Sequence, residues 1–336
     1  MNSIDHTEQS IPSLPYPWHL QLWMKLNQAW LSNRLPHALL LQGATGLGKM
    51  QLAEWISHAI LCETKKNYLK PCGECSSCKL NCAKVHPDLL IIRPEEDKQH
   101  ISVDQIRAMN DELNLTSTRN GYRVAIVEPA HQMTIAAANS LLKTLEEPNK
   151  NTLIILVTAQ LGSLLPTIRS RCQKVAVSIP TVNEAQSWIE KNTGRTAPLE
   201  LLSYVGGSPI LAKEYLNGSY ESLRDSMMEG VTSLTSGSAD LTQLAQSWSD
   251  QQLPDRLRWL DFWLSKKIRQ EVANSEYPSG YNEAYAYNQK PSVFLMYRTL
   301  DKLREMISQL QRTSLQRELL LVSFLMRLQQ SLNSRA

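Results

Sequence analysis

Two stretches of this chain carry residues whose types and spacing could do chemistry. The first is "GATGLGKM", Gly43 to Met50. Gly43, Gly48 and Lys49 fit the phosphate-cradling pattern G-x-x-x-x-G-K-[ST]. In that loop, glycines let backbone N–H groups face a phosphate at a helix N-terminus, and the lysine adds a point charge. Met50 stands where a Ser or Thr should hold magnesium. A thioether is a soft, weak ligand and a poor match for that hard cation. Hydrolysis of this kind also needs an Asp on the metal and usually a Glu to activate water, at the end of a central strand. The stretch "RVAIVEPA" ends instead in Glu128 and Pro129, and a proline cannot act as a base. The loop is therefore expected to keep its shape and to have lost its chemistry.

The second stretch is "CETKKNYLKPCGECSSCKLNC", Cys62 to Cys82. Cys72, Cys75 and Cys78 form C-x2-C-x2-C, a spacing that turns thiolates toward one point, and Gly73 helps the tight turn. Tetrahedral zinc needs a fourth ligand. Cys62 and Cys82 are candidates, and His86 is a weaker one. Four thiolates would close the site, so its role reads as structural. A zinc ribbon can also bind DNA, but Lys65, Lys66, Lys70, Lys79 and Lys84 are more often a solvated face.

These residues need elements to position them. Short runs that are apolar on both faces occur at Ala38–Leu41, Leu89–Ile92, Val124–Val127 and Leu153–Val157, as expected of parallel strands covered by helices. Helical periods separate them. Leu52, Ile56, Ala59 and Ile60 share a face after the loop. Ser102 can cap a helix carrying Val103, Ile106, Met109 and Leu113. Ile135, Leu141, Leu142 and Leu145 mark another, ended by Pro148. The pattern predicts an α/β layered domain with a parallel sheet. After Pro180 the strand signals stop. Residues 181–217 read as short helices around "GGSP", Gly206–Pro209, and only helical patterns follow. The last, Leu315–Leu332, is apolar nearly all round in its middle, which predicts burial in its own domain or against partner chains. Ser275–Pro291 reads as a loop or linker.

Composition bounds the rest. The chain has 336 residues, 42% of them hydrophobic and 20% charged, as in an ordinary soluble protein of two or three domains. A formal charge of +3 is too small to argue for nucleic acid by itself. The opening "MNSIDHTEQS" does not read as a secretion signal. The uncharged run Asn151–Ile168 is broken by Gly162 and Pro166, so it reads as strand and helix, not a membrane span. Six cysteines, most of them clustered, suggest metal in a reducing cytosol more than disulfides.

Taken together, "HALLLQGATGLGK", the cysteine insert, "VDQIR", "AAANSLLKTLEEP" and "IRSRC" resemble the bacterial clamp-loader AAA+ family over roughly residues 17–215. The resemblance implies a P-loop parallel-sheet core with a zinc-binding insert (1–178, insert about 62–82), a small helical lid (179–218) and an all-helical collar that joins subunits into a ring (219–336). The family's zinc pattern selects Cys62 as the fourth ligand and leaves Cys82 over. The lid's ATP-sensing arginine is absent, since "GSPILA" puts Ile210 at its place, and Thr158 falls near the polar sensor. A damaged site points to a non-hydrolysing subunit of the DNA polymerase III holoenzyme rather than to the ATPase gamma/tau subunit. Neither polymerase nor ATPase activity is then expected of this chain alone. Weak ATP or ADP affinity is compatible with the retained Gly43, Gly48 and Lys49.

What the family contributes through such a subunit is an arginine finger. Arg171, in "SRC", is implied to reach a neighbouring subunit's ATP while the complex loads the sliding clamp onto primed DNA. The implied partners are gamma/tau and delta subunits in a cytoplasmic hetero-oligomeric ring, with no membrane. The plain alternative is that Arg171 pairs with a carboxylate on its own surface, and Arg169 is the runner-up finger. Two rival functions are a working AAA+ ATPase, which lacks its magnesium ligand and base here, and a zinc-dependent DNA-binding module.

Overall fold

The computed structural model describes residues 16–64, 69–119, 121–216, 220–273, 291–310 and 317–333. The opening "MNSIDHTEQS", Lys65, Lys66 and nearly all of the Ser275–Pro291 segment lie outside the described residues. The chain divides into two compact units, Met1–Glu214 and Tyr215–Ala336.

In the first unit, five parallel strands stand in the order β2-β3-β4-β1-β5. They are β1 (Ala38–Gln42), β2 (Leu89–Ile92), β3 (Arg123–Val127), β4 (Thr152–Thr158) and β5 (Gln173–Ala176). Strand alternation sorts their side chains into two apolar layers. Leu39 and Leu41 join Ile126, Ile155 and helix α2 (Lys49–Leu61) on one face. Ala38 and Leu40 join Ala125, Ile154 and helices α4 (Val103–Asn114) and α5 (Ile135–Glu146) on the other. Both faces are thus dry over the inner strands β3, β4 and β1, as parallel sheets require. The edge strand β2 departs from the expectation of burial on both faces: Ile91 is exposed, because an edge strand has a neighbour on one side only.

Local signals set the helix ends. Ser102 and Gln105 form a reciprocal capping box at the start of α4. Thr181 and Glu184 form another at α7 (Val182–Thr193). The first unit also contains α1 (Leu20–Leu31), the short α3 (Ser76–Cys82), α6 (Pro166–Arg171), α8 (Leu199–Tyr204) and the start of α9 (Pro209–Leu216).

Among the described residues the second unit is helical: α10 (Tyr220–Ser236), α11 (Leu241–Trp248), α12 (Leu253–Ala273), α13 (Pro291–Leu310) and α14 (Arg317–Asn333). Helix α14 packs on α10, α11 and α13. It buries Leu321, Phe324, Leu325 and Leu328 and leaves Leu319 and Met326 exposed. No described helix is long and apolar enough to cross a membrane.

Candidate nucleotide loop and metal site

The sheet register gathers the nucleotide-type residues at one end. Gln42 pairs with Thr158, and Val127 with Leu156, so the loop after β1, Glu128 after β3 and Thr158 all stand at the carboxyl ends of neighbouring strands. That is where ligands bind in open α/β sheets. The loop leads into α2 with Gly48 as the N-cap. Gly46 and Gly48 have φ of 75° and 76°, a left-handed conformation that favours glycine.

The chain's own side chains crowd this loop. Trp18 Nε1 and His19 Nε2 each donate to the Leu47 carbonyl, at 3.0 and 2.7 Å. The Tyr16 ring stacks on Trp18 and lies so close to Gly48 that a methyl group there would collide with it. Ser208 Oγ donates to the Gly46 carbonyl at 2.6 Å, and a methyl at Gly46 would strike Ser208 and Leu211. Lys49 is buried, and its ammonium donates to Ala44 O at 2.6 Å, back onto its own loop. Burial pulls the Lys49 pKa down, and Glu128 opposes this. Met50 and Ile210 both pack against the apolar cluster under the loop.

The remaining polar groups are committed as well. Glu128 accepts from Arg93 Nε at 3.0 Å. Thr158 Oγ1 accepts from the Gln160 amide at 3.0 Å, and His131 Nδ1 lies 3.1 Å from the same hydroxyl. Sequence reasoning missed Tyr16, Trp18, His19 and Ser208. "YPWH" shows an aromatic stretch, but nothing local tells that it reaches a loop some thirty residues on.

The cysteine insert converges on a point. The sulfurs of Cys62, Cys72, Cys75 and Cys78 all lie within 4.8 Å of one another. Cys62 and Cys75 are 3.9 Å apart, and Cys72 and Cys78 3.8 Å. A disulfide would need about 2.05 Å. A zinc ion about 2.3 Å from each sulfur sets tetrahedral sulfurs about 3.8 Å apart, so the donor set fits that metal. Backbone amides of Cys72, Cys75 and Cys78 point at sulfurs of the preceding ligands at 3.4 Å. Burial pushes the Cys62 and Cys78 thiols up. Burial also raises Cys72, but hydrogen bonds from Thr64 and nearby amides win and bring it to about 6. Four ionised sulfurs at this spacing need a cation between them. Among the described residues, Cys82 and His86 are not in the group.

His86 instead ties the insert to the sheet. Its Nδ1 accepts from the Asp88 amide at 3.1 Å, so the proton sits on Nε2, which donates to Ser77 Oγ at 3.0 Å. Ser77 donates on to Glu63 at 3.2 Å, and Arg119 pairs with the same carboxylate.

Arg171 ends α6 with its side chain half-buried. Its Nε donates to Glu146 Oε1 at 2.7 Å, Nη2 contacts the same oxygen, and Nη1 donates to Thr167 O at 3.0 Å. The Arg169 amide donates to Leu165 O at 3.2 Å, and its guanidinium makes no hydrogen bond or ion pair among the described residues.

Comparison with known proteins shows the family. A family described as DNA polymerase III, delta subunit, matches residues 18–181. DNA polymerase III subunit delta' of Pseudomonas aeruginosa is 35% identical over 78% of this chain and 79% of its own. The protein of the same name from Escherichia coli K12 is 31% identical over 94% of this chain and 95% of its own. A solved gamma subunit-related protein of Thermotoga maritima aligns at 18% identity and a TM-score of 0.42, over 91% of this chain and 99% of that one. With a relative that matches nearly end to end, and with the loop and the cysteine cluster in one α/β unit, the chain belongs to the delta' family of DNA polymerase III subunits.

Proposed function

We propose that this chain is a non-hydrolysing subunit of the clamp loader of a DNA polymerase III holoenzyme. It takes part in placing the sliding clamp on primed DNA and supplies Arg171 to the ATP of a neighbouring subunit. The observation that carries the non-hydrolysing part is that Met50, at the magnesium ligand's place, is a packing residue of the apolar cluster. Met50 and Ile210 are packing residues, Tyr16 and Ser208 clasp the glycines, and Lys49 bonds to Ala44. Such a loop is kept for its shape, and nucleotide at Gly43, Gly48 and Lys49 binds weakly if at all.

On this reading the partners are gamma/tau and delta subunits in a cytoplasmic ring, and DNA and clamp are met through the complex. Residues 1–178 are the AAA+ core, 179–218 its lid and 219–336 the collar. Cys62, Cys72, Cys75 and Cys78 hold one zinc ion. When bound, the metal would cross-link an insert with little apolar content.

The arginine suits its task because guanidinium is planar, always charged and weakly hydrated, and so matches the charge on a transferring phosphoryl group. The test is to reconstitute the complex with this chain as parent, Arg171→Ala or Arg169→Ala. Arg171→Ala should assemble normally and slow hydrolysis at the one facing site by about 10³-fold. An unchanged single-site rate with Arg171→Ala, or the loss appearing with Arg169→Ala instead, refutes the assignment.

A further inference from the structure

Resting on the reading of Arg171 as a finger, we propose that Glu146 is its positioning residue. It fixes the guanidinium so that a fork of N–H donors faces a neighbour's phosphoryl group.

The backbones of the pair are anchored in one place. Leu145, Ile168 and Cys172, next to or near the two residues, are all buried in the apolar layer under α4 and α5. Helices α5 and α6 pack on each other there. What the packing leaves undetermined is the long, flexible arginine side chain. Glu146 supplies that constraint from the last turn of α5. Nε and Nη2 of Arg171 both meet Glu146 Oε1, and Nη1 meets the Thr167 carbonyl.

Donor counting shows what is left. A guanidinium has five N–H groups. Glu146 takes the Nε–H and one Nη2–H, and Thr167 takes one Nη1–H. One N–H remains on each terminal nitrogen, a pair that can contact two oxygens of a phosphoryl group. The carboxylate thus occupies the side edge of the fork without spending its whole capacity. Thr167 alone would leave the side chain free to swing about its inner torsions. An arginine held in advance loses less conformational freedom on reaching the ATP, and misplacing a reacting group by about 1 Å can cost about 10²-fold in rate.

The experiment is a double-mutant cycle in the reconstituted complex, read as the single-turnover rate at the ATP site facing this chain. Glu146→Ala should assemble normally and lose on the order of 10²-fold. Glu146→Gln, which keeps an acceptor oxygen, should recover part of the rate. In an Arg171→Ala background either change should do nothing further. A Glu146→Ala rate equal to or faster than the parent's overturns the proposal, as does a loss that multiplies with that of Arg171→Ala. If Glu146→Ala does not assemble, the same cycle is read with Glu146→Gln, which must slow the parent and leave Arg171→Ala unchanged. If Arg171→Ala itself has no effect, the finger reading fails and Glu146 has nothing to position. If only the Glu146 arm is silent, the finger stands and this proposal falls.

Discussion

Trp18 and His19, adjacent in the chain, donate to one and the same acceptor, the carbonyl of Leu47 in the phosphate loop. For His19 this requires the proton on Nε2, and the ring is fully buried. Burial, helped by Lys49 and opposed by the bond to Leu47, holds its pKa at about 4. The folded state therefore binds this proton less well than the unfolded chain, whose histidines titrate near 6.5. Stability is complete above about pH 6.5 and falls as pH drops toward 4. At pH 5 the His19 share of the loss is about 2 kcal/mol. His58, held near 4 chiefly by burial, adds in the same direction. Denaturant melts of parent and His19→Gln at pH 7.5 and 5 check this. The variant should lose less stability on acidification, and an identical loss would remove His19 as a cause.

The second prediction concerns turnover. Restoring the missing hydroxyl with Met50→Thr should not restore ATPase activity to the isolated chain. Glu128 is still bound by Arg93, Pro129 still follows it, and Tyr16 and Ser208 still cover the glycines. A magnesium-dependent rate in either parent or variant, abolished by Lys49→Ala, would contradict it. Weak equilibrium binding of nucleotide would not.

Metal analysis should find one zinc per chain. Cys62→Ser should lose it and Cys82→Ser should keep it, because the sulfurs within 4.8 Å include Cys62 and not Cys82. The opposite result would reassign the fourth ligand. Chelation should raise amide exchange first in 62–82 and only later in the sheet, whose two apolar layers do not depend on the metal.

A fourth prediction addresses assembly. Leu319 and Met326, a heptad apart on α14, are 64% and 49% exposed while the opposite side of that helix is buried. Leu319→Glu and Met326→Glu should change the melting temperature little, since exposed substitutions usually cost within about 0.5 kcal/mol. They should weaken co-purification with clamp-loader subunits. Undiminished assembly of the double variant would place the contact elsewhere.

Much of this was legible in the residues. The four apolar runs are strands, the Ser102 cap is present, and the α5 helix ends just before Pro148, because each signal acts within one element. Edge placement was not legible: Ile91 looks as apolar as Ile126, and only sheet order exposes it. The cysteine spacing pointed to a metal-type cluster but left Cys62, Cys82 and His86 open as fourth partner. The family pattern chose Cys62, and the fold brings it to the other three. The clasp of the loop could not be read at all. Ser208 and Gly46 are 162 positions apart, and neither carries a local sign of the other. "AAANSLLKTLEEP" and "SRC" both carry the family resemblance, yet the union of Glu146 and Arg171 depends on how α5 and α6 pack.

The strand order carries a consequence for how the chain is made. The inner strand β1 is flanked by β4 and β5, so both of its neighbours are translated long after it. At bacterial synthesis rates, the wait from Gln42 to Thr152 is on the order of ten seconds. During that time β2 and β3 can pair, but β1 leaves the ribosome as a naked apolar ribbon, "ALLLQ", with no edge to join. A nascent chain arrested before Gln173 therefore presents β1 with one side unpaired, a target for chaperones and for the same segment of a neighbouring nascent chain.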